Sequence, residues 1–243
     1  MMKFLILFVM LLTPPPGFKD AQLKNSRVKS AYELKEQTVK NYFVKKGLKY
    51  EGFQLFIRAF KKEMKLEAWI KEKGKEEFQL LTTYDFCTTS GKLGPKRKEG
   101  DYQIPEGIYS INHFNPQSNF HLSLGINYPN ASDLILSDKK SPGGAIYIHG
   151  NCVTIGCIPI TDDKINELYL LAVEAKNNGQ EKIPVHIFPA KLDEGLIDTL
   201  AKEESANEKL VGFWENLQPI YKDFKNSKKL KTVSVNKKGE YYF

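Results

Sequence analysis

Hydrophobic residues change their spacing along the first part of the chain. Between residues 27 and 46 they recur at helical intervals, which predicts an amphipathic helix ending at Gly47; its apolar face comprises Val28, Ala31, Tyr32, Leu34, Val39, Tyr42 and Phe43. From Phe53 onward, apolar and polar residues alternate. This period of two predicts strands near 53–59, 66–70 and 78–86. One helix followed by several short strands is therefore expected.

The rest of the chain continues as short strands and then becomes helical. A Gly-, Lys- and Pro-rich stretch over 90–105 predicts a loop, and the later apolar segments predict strands at 107–111, 120–126, 145–148 and 185–188. Helices are expected over 162–176, with Thr161 or Asp162 as N-cap, and over 194–204 and 206–224, before a short strand near 232–235. The expected fold class is mainly β (α+β), with helical elements at both ends.

The N-terminus resembles an export signal. Lys3 precedes nine apolar residues, 4–12, and the sequence Thr-Pro-Pro-Pro-Gly then ends any helix. Such a run is too short to span a bilayer but suits a secretory signal; a buried N-terminal strand is the alternative. We therefore expect an exported protein of the periplasm or cell envelope, without a transmembrane helix in its mature form. The expected division is 1–20 signal peptide, 21–51 helical segment, 52–190 catalytic domain and 191–243 helical extension.

Composition and charge give little information on which class of partner the protein binds. The 243 residues include 36 Lys and Arg against 29 Asp and Glu, for a net charge of +7. This charge favours an acidic partner, but it equally fits a lysine-rich solvated surface. Because no nucleic-acid-binding module accompanies the charge, we expect no nucleic-acid partner.

One segment, 147–159, combines the residues of a cysteine nucleophile. His149 follows a buried-looking strand, Gly150 permits a turn, and seven residues later Cys157 follows Gly156. Cysteine attacks as a thiolate, and imidazole is suited to accept the thiol proton near neutral pH. Backbone N–H groups of Ile155, Gly156 and Cys157 would stabilise the oxyanion formed in acyl transfer.

Less specific interpretations of the same residues remain open. A lone cysteine is most often a small buried hydrophobe, and a histidine beside glycine is often a satisfied core group. His149, Cys152 and Cys157 could also ligate zinc, but their spacing fits no standard zinc pattern and a fourth ligand is not evident nearby. We therefore expect neither a metal nor a cofactor.

The chain resembles the L,D-transpeptidase catalytic domain (YkuD-type) around this segment, and is closest to the YafK-like branch of that family. The resemblance spans roughly 52–189. It rests on His149-Gly150, on Thr-Ile-Gly-Cys-Ile at 154–158, and on Gly-Asp-x-Gln-x-Pro-Glu-Gly at 100–107. It implies a β-sandwich or barrel-like catalytic domain and, as substrates, peptidoglycan stem peptides that contain a diaminoacid.

The resemblance also implies individual roles. Cys157 corresponds to the nucleophile and His149 to the base, while the carbonyl of Gly150 would orient the imidazole ring. Thr154 and Asn151 are our candidates for contact with the substrate.

Two departures from the family motif concern substrate recognition. Ile155 stands where the motif has a second histidine, and Pro159 where it has an arginine. The missing arginine removes a contact to a carboxylate or to the stem peptide, for which Lys92, Lys96 or Arg97 could substitute.

The three cysteines, Cys87, Cys152 and Cys157, leave at least one thiol unpaired. A Cys87–Cys152 disulfide would leave Cys157 free, whereas a Cys152–Cys157 disulfide would block it. Two further free thiols are the third alternative.

Three functions follow as expectations. The first is a peptidoglycan L,D-transpeptidase that forms an acyl-enzyme on Cys157 and passes it to an amine acceptor. The second is a hydrolytic member of the family, an amidase or carboxypeptidase that releases a wall-linked protein or a terminal residue. The third is a cell-wall-binding module without catalysis.

Overall fold

A computed structural model describes residues 17–243 of the chain. The apolar run of the predicted signal peptide lies outside these residues. The helices are α1 (Phe18–Leu23), α2 (Ser26–Lys46), α3 (Ala131–Leu136), α4 (Thr161–Asn177), α5 (Leu196–Glu203) and α6 (Glu208–Ser227). The strands are β1 (Gln54–Phe60), β2 (Lys65–Lys71), β3 (Gln79–Asp85), β4 (Gly107–Asn115), β5 (Ser123–Ile126), β6 (Tyr147–His149), β7 (Ile158–Pro159), β8 (Pro184–Phe188), β9 (Ser234–Val235) and β10 (Tyr241–Tyr242).

Eight of the strands form one mixed sheet in the order β3-β2-β1-β8-β4-β5-β6-β7. Its pairs are antiparallel except for β1 with β8 and β6 with β7. The parallel β6–β7 pair at one end of the sheet contains the candidate base, His149, and the candidate nucleophile, Cys157, directly precedes β7. A large sheet with helices before and after it in the sequence confirms the predicted α+β fold.

Helices α2 and α4 cover the core. The predicted apolar face of α2 is buried at Val28, Ala31, Tyr32, Val39 and Phe43, whereas Leu34 is exposed. The cap prediction for α4 is correct in part: the helix already begins at Thr161, and the Thr161 hydroxyl accepts a hydrogen bond from the N–H of Lys164 at 3.4 Å. Ile160 occupies the N-cap position, and the carboxylate of Asp162 instead accepts a hydrogen bond from the backbone N–H of Asn151 at 2.7 Å.

The C-terminal helices pack on the other part of the sheet. A second apolar cluster joins Phe60 and Phe188 of the sheet to Trp214, Leu217 and Tyr221 of α6. Because this cluster continues the central sheet, the predicted boundary near residue 190 stays a prediction. None of the helices between residues 17 and 243 is long and apolar enough to cross a membrane.

A buried carboxylate links the extension to the sheet and to the long loop. Glu106 accepts hydrogen bonds from Trp214 Nε1 at 2.9 Å and from the N–H of Gly94 at 2.6 Å. Glu106 also forms an ion pair with Lys61, whose ammonium lies 2.9 Å away and donates to the carbonyl of Gly94. Glu106 of the 100–107 motif thus joins the 90–105 loop to α6.

Candidate active site

Strand pairing brings the candidate base and nucleophile to adjacent positions. In the parallel β6–β7 pair, Ile148 lies opposite Ile158 and His149 opposite Pro159. Cys157, one residue before β7, is therefore level with Tyr147, whose backbone N–H points at the thiol sulfur at 3.4 Å. His149 at the end of β6 and Cys157 just before β7 are thus two positions apart along the direction of the paired strands.

His149 is held in the form that a base requires. The side chain is buried, and its Nδ1 lies 2.5 Å from the carbonyl oxygen of Gly150. Since a carbonyl can only accept, Nδ1 carries the proton and Nε2 of the neutral ring is the acceptor. Burial lowers the pKa of His149 below its usual value, and the Gly150 carbonyl offsets part of this effect. Imidazole is therefore the dominant form at neutral pH.

Cys157 is a free, partly buried thiol. Its sulfur lies 3.7 Å from the carbonyl oxygen of Ala145, to which the S–H can donate. Burial raises the pKa of the Cys157 thiol, an effect that the Tyr147 N–H and the Lys96 ammonium partly oppose. The thiol is accordingly protonated at neutral pH and needs a base to become nucleophilic.

The backbone around Cys157 is organised by Thr154. The Thr154 hydroxyl accepts hydrogen bonds from the N–H groups of Gly156 at 3.1 Å and Cys157 at 2.8 Å. It donates to the carbonyl of Cys157 at 2.8 Å. The hydroxyl of Thr154 is thus bound to the backbone of its own loop, and the predicted contact of Thr154 with substrate stays a prediction. The predicted oxyanion roles of the Gly156 and Cys157 N–H groups require these groups to leave Thr154. Ile155 stands at an exposed position.

Gly156 joins the two motifs that carry the family resemblance. Its φ of +138° lies in a region that favours glycine. A Cβ at this position would lie 3.0 Å from the carbonyl oxygen of Gln103 in the 100–107 motif. The Asp101 carboxylate orders that motif by accepting hydrogen bonds from Lys96 Nζ at 2.6 Å and from the N–H of Gln103 at 3.1 Å.

A disulfide joins Cys87 to Cys152, so the structure has the pairing that leaves Cys157 free. It ties the end of β3 to the loop between the candidate base and nucleophile. Asn151 also serves this loop, because its side chain accepts a hydrogen bond from the N–H of Cys152 at 2.6 Å. Its predicted contact with substrate stays a prediction. Among residues 17–243, no group of three His, Cys, Asp or Glu side chains stands close enough to hold a metal ion.

Phe120 supports the candidate base, although the sequence carried no signal for it. Its ring stacks on His149 with the centroids 4.7 Å apart and an angle of 29° between the planes. Arg27 of α2 holds the same loop, since its guanidinium donates to the carbonyls of Ser118 at 2.6 Å and His121 at 2.8 Å. The N-terminal helix thus contributes to the environment of the imidazole.

The three basic residues considered as substitutes for the missing arginine have different surroundings. The buried ammonium of Lys96 is bound to Asp101, and the backbone N–H of Lys92 donates to the Gln103 side chain at 2.7 Å. Arg97 pairs with Asp133 at 3.1 Å and lies over the ring of Phe213.

Comparison with known proteins gives consistent matches. The sequence pattern of the L,D-transpeptidase catalytic domain (YkuD) matches residues 56–187. The chain is 32% identical over 238 residues to the "Putative L,D-transpeptidase YafK" of Escherichia coli (strain K12), and the match covers 97% of this chain and 88% of that protein.

The chain is also similar to proteins of known structure. The helical cell shape determining protein Pgp2 from Campylobacter jejuni matches with a TM-score of 0.45 and 18% identity, covering 76% of this chain and 73% of that one. Bd1075 of Bdellovibrio bacteriovorus matches with a TM-score of 0.40 and 23% identity, covering 68% of this chain and 57% of that one.

Proposed function

The chain belongs to the L,D-transpeptidase catalytic domain (YkuD) family, and from this premise we propose that it is a cysteine-dependent peptidoglycan L,D-transpeptidase. The observation that carries the proposal is the β6–β7 pair, which places the Cys157 thiol two residues along the ladder from His149. The substrates would be stem peptides that contain a diaminoacid, as in the family. No cofactor takes part.

The first half-reaction forms an acyl-enzyme. His149 Nε2 accepts the proton of the Cys157 thiol, and the sulfur attacks a peptide carbonyl next to the diaminoacid. When the tetrahedral intermediate collapses, its C–N bond breaks and the leaving amine takes the proton from the imidazolium. The products are a thioester on Cys157 and a free amine.

The second half-reaction releases the acyl group. An amine of a second stem peptide attacks the thioester carbonyl while His149 accepts the amine proton. The C–S bond then breaks, and the thiolate regains its proton from His149. In hydrolysis, water takes the place of the amine. The same residues serve both reactions, so the acceptor alone distinguishes a transpeptidase from an amidase or carboxypeptidase.

The pKa directions of the pair support this order of events. Burial raises the pKa of Cys157 and lowers that of His149, so the resting pair is thiol and imidazole, not thiolate and imidazolium. Proton transfer therefore accompanies attack on the substrate. The carbonyl of Gly150 keeps the imidazole in the correct tautomer throughout.

Two observations support an extracytoplasmic location. The family acts on peptidoglycan, which lies outside the cytoplasmic membrane. The Cys87–Cys152 disulfide is typical of oxidising compartments such as the periplasm. Both agree with a signal peptide at the N-terminus, although α1 begins at Phe18 and contacts α4, so the boundary at residue 20 stays a prediction.

The test is incubation of the purified protein with muropeptides, followed by intact-mass measurement and product analysis. We expect an acyl adduct on Cys157 and new cross-links, and expect both to vanish in Cys157→Ala. Free tetrapeptides or released side chains without cross-links would identify a hydrolase. If wild type and Cys157→Ala bind cell wall equally and neither forms an adduct, the protein is a binding module and the proposal fails.

A further inference from the structure

We propose that the cleft between the 93–97 loop and the start of α6 binds a free carboxylate of the stem-peptide substrate, and that Arg97 is the residue that recognises it. This inference rests on the proposed function and extends it to substrate recognition. The cleft has a volume of about 400 Å³, which is within the range of small-ligand sites. Neither Cys157 nor His149 lines it, and Gln103 of the 100–107 motif connects it to the loop that carries the nucleophile.

The lining of the cleft identifies the chemistry of its ligand. All of its lining residues lie in the described part of the chain, and the charged ones among them, Arg97 and Lys209, are both cations. The remaining walls are largely apolar, formed by residues such as Leu136, Leu210 and Phe213. An anion attached to an aliphatic body complements this surface. A stem peptide offers such a group, because its carboxylates are carried on short aliphatic residues.

Arg97 is prepared to bind a carboxylate. Its guanidinium carbon lies 5.0 Å from the centre of the Phe213 ring, and its Nη1 is held by Asp133 at 3.1 Å. The backbone N–H of Arg97 donates to Asp101 at 2.8 Å, which fixes the start of the side chain. One edge of the guanidinium is thereby occupied, and among residues 17–243 its other N–H donors have no partner, so they can serve a ligand in the cleft. A planar guanidinium fixed in this way loses little freedom when it binds a carboxylate.

The cleft is connected to the nucleophile through the 100–107 motif. Gln103 lines the cleft, and its carbonyl oxygen lies at the position where Gly156 lacks a Cβ. Lys96, the neighbour of Arg97, is close enough for its charge to act on Cys157. In this proposal, a peptide anchored in the cleft extends past Gln103 toward the thiol.

This arrangement accounts for two features that the proposed reaction leaves unexplained. Pro159 stands where the family motif has arginine, and Arg97 supplies a cation from a different segment of the chain. The C-terminal extension also acquires a role, since Lys209, Leu210 and Phe213 of α6 form one wall of the cleft.

The test measures binding directly by calorimetry, in a full-length Cys157→Ala background that prevents turnover. The ligand is a soluble, diaminoacid-containing stem tetrapeptide, prepared with free carboxylates or with each carboxylate amidated. We expect the free acid to bind more tightly than the amidated form, and Arg97→Gln to weaken its binding about tenfold or more. Binding of the fully amidated peptide should change by less than about threefold.

Charge-reversal variants keep the test independent of folding. Lys209→Glu leaves the Arg97–Asp133 pair intact and places an acid in the first turn of α6, where acids are favourable. This variant should also weaken the binding of the free-acid peptide and leave the binding of the amidated peptide nearly unchanged. Lys238→Glu changes the net charge equally at an exposed position outside the cleft and should have no such effect. Circular dichroism of each variant confirms its fold.

The outcomes separate the two proposals. If folded Arg97→Gln and Lys209→Glu bind the free acid as tightly as the control does, the cleft proposal is overturned whatever the fate of Cys157. If the free acid binds with the expected discrimination but wild type forms no acyl adduct, the cleft stands and the proposed function fails. If the free acid and the amidated tetrapeptide bind the Cys157→Ala protein equally, or neither binds, the assignment of the ligand is overturned.

Discussion

The hydroxyl of Thr154 and the backbone of Cys157 form a closed hydrogen-bonded ring: Oγ1 accepts from the Cys157 N–H and donates to the Cys157 carbonyl, both at 2.8 Å. A single side chain thus fixes the peptide units on both sides of the nucleophile. The position of the sulfur relative to His149 depends on this ring, because a small displacement of reacting groups costs a large part of the rate.

We expect Thr154→Val to lower kcat/KM about tenfold or more while Thr154→Ser retains most of the activity. Valine keeps the volume but leaves the N–H groups of Gly156 and Cys157 without their acceptor. Steady-state kinetics with a muropeptide and thermal melts of both variants provide the measurement. A Thr154→Val enzyme with unchanged kinetics would show that the ring does not position the nucleophile.

Replacing both Cys87 and Cys152 by serine should lower the free energy of unfolding by about 4 kcal/mol, the chain-entropy value for a link of this length. The two residues are 65 positions apart in the sequence. Turnover should fall as well, because the link holds the loop between His149 and Cys157.

The control for this variant is reduction of the wild type with a phosphine, followed by urea denaturation. Reduction should reproduce the loss of stability and leave Cys87→Ser/Cys152→Ser unaffected. Equal stability before and after reduction would contradict a stabilising role for the disulfide.

Alkylation of Cys157 by iodoacetamide should accelerate steadily as the pH rises from 6 to 9, without a plateau near neutrality. Burial raises the pKa of the thiol and lowers that of His149, so the reactive thiolate becomes abundant only in alkaline solution. The rate of alkylation is measured by mass spectrometry of samples quenched at timed intervals, with Cys157→Ala as the blank. A rate that is constant between pH 5 and 8 would instead indicate a resting thiolate–imidazolium pair.

Short-range patterns predicted much of this molecule. The period of two identified β1, β2 and β3, and the spacing of Val28, Ala31 and Phe43 identified α2, because each pattern lies within a single element. Consecutive residues of β1 and β2 are buried on both faces of the sheet, which the alternating pattern did not predict. The candidate base and nucleophile could be proposed together because they lie only eight positions apart. Helix α3 was missed because six residues are too few to show a period.

Contacts between distant residues could not be predicted in this way. Phe120 stacks on His149, and Trp214 donates to Glu106 across 108 positions of sequence. Neither pair has a local signature, since both depend on the order of strands in the sheet. The parallel pairing of β1 with β8 is itself such a feature, and it explains why the C-terminal extension packs on a strand near the other end of the chain.

Acid should destabilise the protein through His186, which is buried in the sheet and packs edge-on against Phe56 at 4.7 Å between ring centres. Burial, assisted by the charge of Arg58, lowers the pKa of His186 to about 3, whereas an unfolded histidine titrates near 6.5. Between these values the unfolded chain binds a proton that the folded chain does not. The contribution of neutral His186 to the free energy of unfolding is therefore fully present above about pH 6.5 and is lost progressively as the pH falls toward 3.

At pH 4.5 this one group should lower the free energy of unfolding by about 2–3 kcal/mol relative to pH 7. His186→Phe, which keeps a ring among Phe56 and Phe188, should lose that much less stability between the two pH values than the wild type does. The matched control is His113→Gln at an exposed position, which should keep the wild-type dependence. Urea denaturation at the two pH values provides the measurement. Equal losses in wild type and His186→Phe would mean that His186 is protonated in the folded protein, and that the buried ring accommodates the charge beside Arg58.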